Sequence, residues 1–153
     1  MDARICRCDV VQQPRTPTLR VVVDSSALLA ILFAESDAEE FLTAISQNEC
    51  SMSVANFLET AIVIDSTRDP VAIRKFDELV ESAEIEIVPV DLKQANLARA
   101  AYRDFGKGSG NRAALNYGDV FAYALATSTR RKLLCKGDDF RFTDLQLQEI
   151  ESV

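Results

Sequence analysis

The stretch LRVVVD, Leu19 to Asp24, runs without interruption into SSALLAILFAE, Ser25 to Glu35. The first part is a short β-branched run of the kind that forms a strand buried on both faces, and the second has the composition of a helix. No turn separates them: Ser25 or Ser26 can cap the helix, and Asp24 sits at the joint. A strand buried on both faces needs helices above and below it, so this one feature steers the chain toward a parallel sheet in an α/β fold.

The rest of the chain alternates in the same way. A helix is expected from Asp37 to about Gln47, with Phe41, Leu42 and Ile45 as its apolar stripe, followed by a short strand in CSMSV. ANFLETAIVID, from Ala55, reads as a helix with Phe57, Leu58, Ala61, Ile62 and Val63 largely buried. Asp69-Pro70 opens another helix that ends near Ala83. EIEIVPVD alternates like a strand, LKQANLARAAYRDF returns to helical spacing, and GKGSGNRAALN, with three glycines, reads as a mobile loop. NYGDVFAYALA then forms a helix with Asn116 as N-cap, KLLCKGDDF a strand ending on Asp138 and Asp139, and LQLQEI an added edge strand. Strands alternating with helices imply a parallel sheet covered on both sides. Residues 1–18, with QQP, RTP and no periodicity, are expected to form a flexible leader, and residues 19–153 one domain.

Composition narrows the chemistry. The 153 residues contain no histidine, which removes Ser-His-Asp and Cys-His catalysis, two-histidine metal centres and imidazole bases together. An enzyme of this composition must rely on carboxylates, lysines or a hard metal. The four cysteines (Cys6, Cys8, Cys50, Cys135) show neither a disulfide framework nor a paired metal motif, so reduced thiols are expected. There is no secretion signal and no apolar run of about eighteen residues, so a cytoplasmic protein without a membrane span is expected. The net charge of −7 argues at first against a nucleic-acid partner, but the charge is unevenly spread. Glu35 to Asp91 holds fourteen acids and three bases, whereas Arg99 to Arg141 holds nine bases and four acids. Such asymmetry permits a basic face on an acidic protein, with Lys107, Arg112, Arg130, Lys136 and Arg141 as the bases that would meet a nucleic acid, although by charge alone a set of solvated helix faces is the better reading.

Five acids sit where structure alone does not ask for them. Asp24 ends the first strand and Asp138 and Asp139 follow the last one; groups at the carboxyl ends of parallel strands converge on one crevice. Glu59 and Asp119 lie in the N-terminal halves of apolar helices and can reach the same end of the sheet. Each alone has an ordinary explanation: Asp24 or Asp119 at a helix start, Glu59 as a solvated helix residue, Asp138 and Asp139 in a turn. Together they repel unless something positive lies between them, and with only oxygen donors on offer that something is Mg²⁺, with Mn²⁺ as a substitute.

VVVDSSALLAILFAE, SVANFLETAIVI, ALNYGDVFAYALA and LLCKGDDFRFTD occur in this order between Val21 and about Leu145. In these blocks the chain resembles the PIN-domain ribonucleases, and among them the VapC toxins of prokaryotic toxin-antitoxin pairs. The resemblance implies a PIN-like three-layer fold, a central parallel sheet of four to five strands flanked by helices. It implies an acidic metal site of Asp24, Glu59, Asp119 and one acid of the GDD pair, Asp138 in preference to Asp139, with Ser25 as a hydroxyl neighbour and Asn116 close by. It also implies a Mg²⁺-dependent endoribonuclease in which metal-activated water hydrolyses RNA, restrained by a cognate VapB-type antitoxin and commonly homodimeric. Two rivals are kept: a catalytically silent PIN-like interaction module, and a phosphotransfer domain with Asp24 as the phosphorylated residue, although Ser26 stands where the latter wants a second acid.

Overall fold

The computed structural model describes residues 18–150, so the expected leader up to residue 17, with Cys6 and Cys8, lies outside the described residues. Among the described residues four strands form one parallel sheet: β1 (Arg20–Val23), β2 (Glu49–Ser53), β3 (Glu86–Val88) and β4 (Lys132–Leu134), in the order β3-β2-β1-β4. Six helices among the described residues flank it: α1 (Ser25–Leu32), α2 (Ala38–Ser46), α3 (Val54–Ser66), α4 (Pro70–Ser82), α5 (Leu92–Phe105) and α6 (Asp119–Thr129). A 3₁₀ turn, Asp139–Phe142, follows β4.

β1 is the hub because it is flanked by β2 and β4, and its three valines are at most 1% exposed. Successive side chains of a strand point to opposite faces. Val21 and Val23 accordingly join the core built with α1 to α4, which includes Leu28, Phe41, Ile45, Met52 and Ile64, while Val22 joins Leu115, Leu125, Leu133 and Phe140 in the core of α5 and α6. These are the three layers. Leaving β1 the chain goes toward β2 on one side, and it returns only at the end to place β4 on the other. The crevice at the carboxyl ends of β1 and β4 is thus the topological switch point, where ligands bind in open α/β sheets.

Two helices carry more exposed apolar surface than their sequence patterns suggest. Leu42 of α2 is half-exposed, and Leu58 and Ile62 of α3 are exposed, the buried positions of α3 being Asn56, Thr60 and Ile64. The sheet faces a narrower stripe of α3 than the run of apolar residues indicates, and that stripe is partly polar. LQLQEI adds no fifth strand among the described residues but a single parallel bridge from Leu147 to Leu133, with Leu133 and Gln148 N–H groups as donors. The glycine-rich interval is better anchored than expected. Leu115 N–H bonds to the Phe105 carbonyl at 2.9 Å, Lys107 N–H bonds to the Leu115 carbonyl at 3.0 Å, and Ala113 and Leu115 are fully buried.

Candidate active site

The carboxyl edge of the sheet is built from strand–helix joints with almost no loop. Asp24 N–H donates to the Leu134 carbonyl at 2.9 Å, extending the β1–β4 ladder by one residue, so the backbone of Asp24 is fixed by the sheet itself. Its side chain then caps α1: Oδ2 accepts from Ser26 N–H at 3.0 Å and from the Ser26 hydroxyl at 2.6 Å. The same hydroxyl accepts from the backbone N–H of Lys136 at 2.9 Å, linking the joint after β1 to that after β4. The other carboxylate oxygen, Oδ1, is buried and has no protein partner.

Glu59 arrives from the second turn of α3, which leaves β2 at once with Ser53 as its N-cap. Its Oε2 accepts from the Ser25 hydroxyl at 2.7 Å and lies 3.4 Å from the Asn56 amide nitrogen. Asp119 comes from the third side. Its Oδ2 accepts from Asn116 N–H at 2.7 Å while the Asn116 side chain accepts from Asp119 N–H at 2.9 Å. This is the reciprocal arrangement of a capping box, so Asn116 is the side-chain cap although regular helix begins at Asp119. Gly118, between them, is packed against Glu59: a Cβ there would collide with the Glu59 carboxylate.

The charges feel one another. Burial raises the Asp24 carboxyl to about 6, opposed by the Ser26 hydrogen bonds and assisted by the charges of Asp119 and Glu59. Asp119 is also raised, by burial first and then by Asp139 and Glu59, against its bond to Asn116 N–H and the nearby charge of Lys107. Cys135 borders the same pocket. Burial, with the charges of Asp24 and Asp119, pushes its thiol up to about 12, which keeps it protonated.

The two acids after β4 separate. Both are exposed; Asp138 pairs with Arg141 at 3.2 Å, whereas Asp139 is the one whose charge reaches Asp119. Of the basic candidates, Lys107 lies close enough to act on Asp119. The Arg112 guanidinium stacks 4.2 Å above the Phe142 ring, beside the turn that holds Asp139. Lys136 is held by Glu35 and Asp37, a clamp from β4 to the α1–α2 loop. Arg130 caps the far end of α6, roughly 16 Å from Asp119 along an eleven-residue helix. Sequence reasoning passed over Asn56 and Gly118 and offered Ser26 as a helix cap, not as a donor to the Asp24 carboxylate; the signal for Asn56 was a polar residue three positions before Glu59 in an apolar run.

No group of three or more Asp, Glu and Cys side chains is gathered into a ready-made metal cage among the described residues. The physical reason lies in the hydrogen bonds: Glu59 rests on Ser25 and Asp119 on its own helix cap. The donor set nevertheless fits a hard divalent cation. It offers carboxylate oxygens without imidazole, and Asp24 Oδ1 is a buried anionic atom lacking the partner that such an atom requires.

The PIN domain family model matches residues 21–145. The chain belongs to the PIN domain family. Among curated proteins it is similar to Ribonuclease VapC28 of Mycobacterium tuberculosis, at 50% identity over 127 residues, 82% of this chain and 96% of that protein. It is similar also to Ribonuclease VapC of Mycolicibacterium smegmatis, at 48% identity over 126 residues, 82% of this chain and 97% of that protein. Among solved structures, VapBC2 from Rickettsia felis bound to a DNA fragment from its promoter shares the fold with a TM-score of 0.67 at 12% identity, covering 87% of this chain and all of that one. VapBC-1 from nontypeable Haemophilus influenzae gives 0.65 at 16% identity, covering 86% and 98%.

Proposed function

We propose that this protein is the toxin of a type II toxin-antitoxin pair, a Mg²⁺-dependent endoribonuclease that hydrolyses RNA phosphodiester bonds and is neutralised by a cognate VapB-type antitoxin. The observation that carries the reading is the unpartnered buried Asp24 Oδ1 at the switch point, with Glu59 and Asp119 as its charged neighbours. The names of the relatives, ribonucleases of the VapC group, support the reaction class, and the VapBC neighbours support the partner.

In this reading Asp24 Oδ1 and Asp119 hold the cation, and the fourth acid is Asp139 in place of Asp138, because Asp138 is turned onto Arg141. Bound there, Mg²⁺ or Mn²⁺ supplies the Lewis acidity that makes water nucleophilic at neutral pH and offsets charge growing on a scissile phosphate. Glu59, oriented by the Ser25 hydroxyl, is positioned to accept a proton from water. The N-terminus of α6 presents its dipole to the same pocket. Lys107 and Arg112 supply positive charge for the RNA backbone around a pocket of acids.

Two further elements belong to the proposal. The protein acts in the cytoplasm; no described helix is long and apolar enough to cross a membrane. It works as a homodimer, supported by exposed Leu92 and Tyr117, 78% and 77% accessible, beside an apolar groove of about 460 Å³ between α5 and α6. The test is Asp119→Asn: the folded variant is expected to lose Mg²⁺-dependent RNA cleavage, and undiminished cleavage overturns the assignment. A silent interaction module, by contrast, would leave the wild-type chain without a saturable Mn²⁺ site.

A further inference from the structure

We infer that Asn56 is a positioning residue of the site: it ties the helix that carries Glu59 to the helix start that carries Asp119, setting the distance between the two acids. The inference rests on the metal-site reading above and extends it to a residue that holds no metal and touches no substrate.

Asn56 is fully buried, one turn of α3 before Glu59. An amide has two N–H donors, and three acceptors surround this one: the Gly118 carbonyl at 3.0 Å, the Ser25 hydroxyl at 3.3 Å and Glu59 Oε2 at 3.4 Å. The shortest contact crosses sixty-two residues of sequence to the residue before Asp119. The other two are linked, since Ser25 itself donates to Glu59 Oε2 at 2.7 Å. One side chain therefore touches the residue beside each of the three acids or the acid itself: Ser25 next to Asp24, Glu59, and Gly118 next to Asp119. The orientation of the amide is fixed by these partners, because turning it over would face its oxygen to a carbonyl and a carboxylate.

The arrangement is not explained by packing. Asn56 Oδ1 is buried without a partner, so an aliphatic residue of similar volume would serve the core better. Gly118 completes the device from the other side, since only a residue without a Cβ lets Glu59 and the α6 N-terminus approach this closely. Acids brought in by separate elements repel, and a neutral donor bridging them holds their spacing without adding charge to the pocket.

The experiment uses the full chain with Asn56→Leu, close in volume but without donors, and Asn56→Ala. Three readouts are taken: Mn²⁺ affinity by calorimetry, kcat and KM for Mg²⁺-dependent RNA cleavage, and amide hydrogen exchange of Asp119 to Phe121 in metal-free protein. The expected result is a Mn²⁺ affinity and a kcat each at least tenfold lower with KM within twofold, and faster exchange confined to the first turn of α6. Wild-type affinity, kcat and exchange in whichever variant folds would overturn the inference while leaving the nuclease reading intact. If the wild-type chain neither binds Mn²⁺ nor cleaves RNA, the underlying reading fails first and this role falls with it, even if exchange in the first turn changes.

Discussion

Asp24 shows how a single residue can cost the fold something that function requires. Its carboxyl titrates near 6 when folded, against the ordinary 3.8, so between those values the native chain holds more protons than the unfolded one. Stability of the metal-free protein therefore falls as pH rises from about 4 to about 6, and at neutral pH the ionised carboxylate costs on the order of 3 kcal/mol. Asp24→Asn is expected to raise metal-free stability at pH 7 by about 1–3 kcal/mol in urea unfolding, to flatten this part of the pH profile, and to abolish Mn²⁺ binding. A less stable variant would contradict the burial argument. Gly118→Ala tests the opposite kind of residue. Its helical backbone tolerates alanine, but the added methyl displaces the Glu59 carboxylate, so the expected outcome is a normal thermal midpoint with RNA cleavage reduced roughly 100-fold.

At the scale of elements, the strand–helix joints set what is rigid. α5 is held at its start by Asp91, whose carboxylate accepts from Gln94 N–H at 2.7 Å, and Asp91→Ala is expected to cost about 1 kcal/mol in denaturant titration without changing Mn²⁺ affinity. Lys136 belongs to the same class: it joins the segment after β4 to Glu35 and Asp37 beyond α1. Its replacement by Met should lower the unfolding temperature and leave the salt dependence of RNA binding unchanged, whereas Lys107→Met should reduce that salt slope by about one. Much of this level was legible in the sequence. A β-branched run ending in Asp24, the Asp69-Pro70 start and the Asn116 cap are local signals, and local chemistry produced those elements. The inward face of α3 was not legible, because Phe57, Leu58, Ile62 and Val63 outnumber the positions the sheet can cover, and which of them turn outward depends on where β2 delivers the helix. The GDD pair was ambiguous for a related reason. Two adjacent acids offer the same chemistry in sequence, and only the fold separates them: Asp138 pairs with Arg141 across the 3₁₀ turn, and the charge acting on Asp119 is that of Asp139.

The whole molecule is a device for bringing distant anions to one edge. Strand order β3-β2-β1-β4 puts the ends of β1 and β4 side by side, β2 delivers α3 with Glu59 to the same edge, and α6 starts there with Asp119. Residue spacing alone does not reveal that meeting; it follows from the parallel topology, which makes every strand end on the same side. The most direct measurement is the anomalous difference map of a crystal of the full chain soaked in Mn²⁺. The expected result is a Mn²⁺ peak about 2.1 Å from Asp24 Oδ1 with a second ligand from Asp119, Glu59 settling beside it. A map with no Mn²⁺ at the carboxyl end of β1, or with the cation held only by surface carboxylates elsewhere, would contradict it.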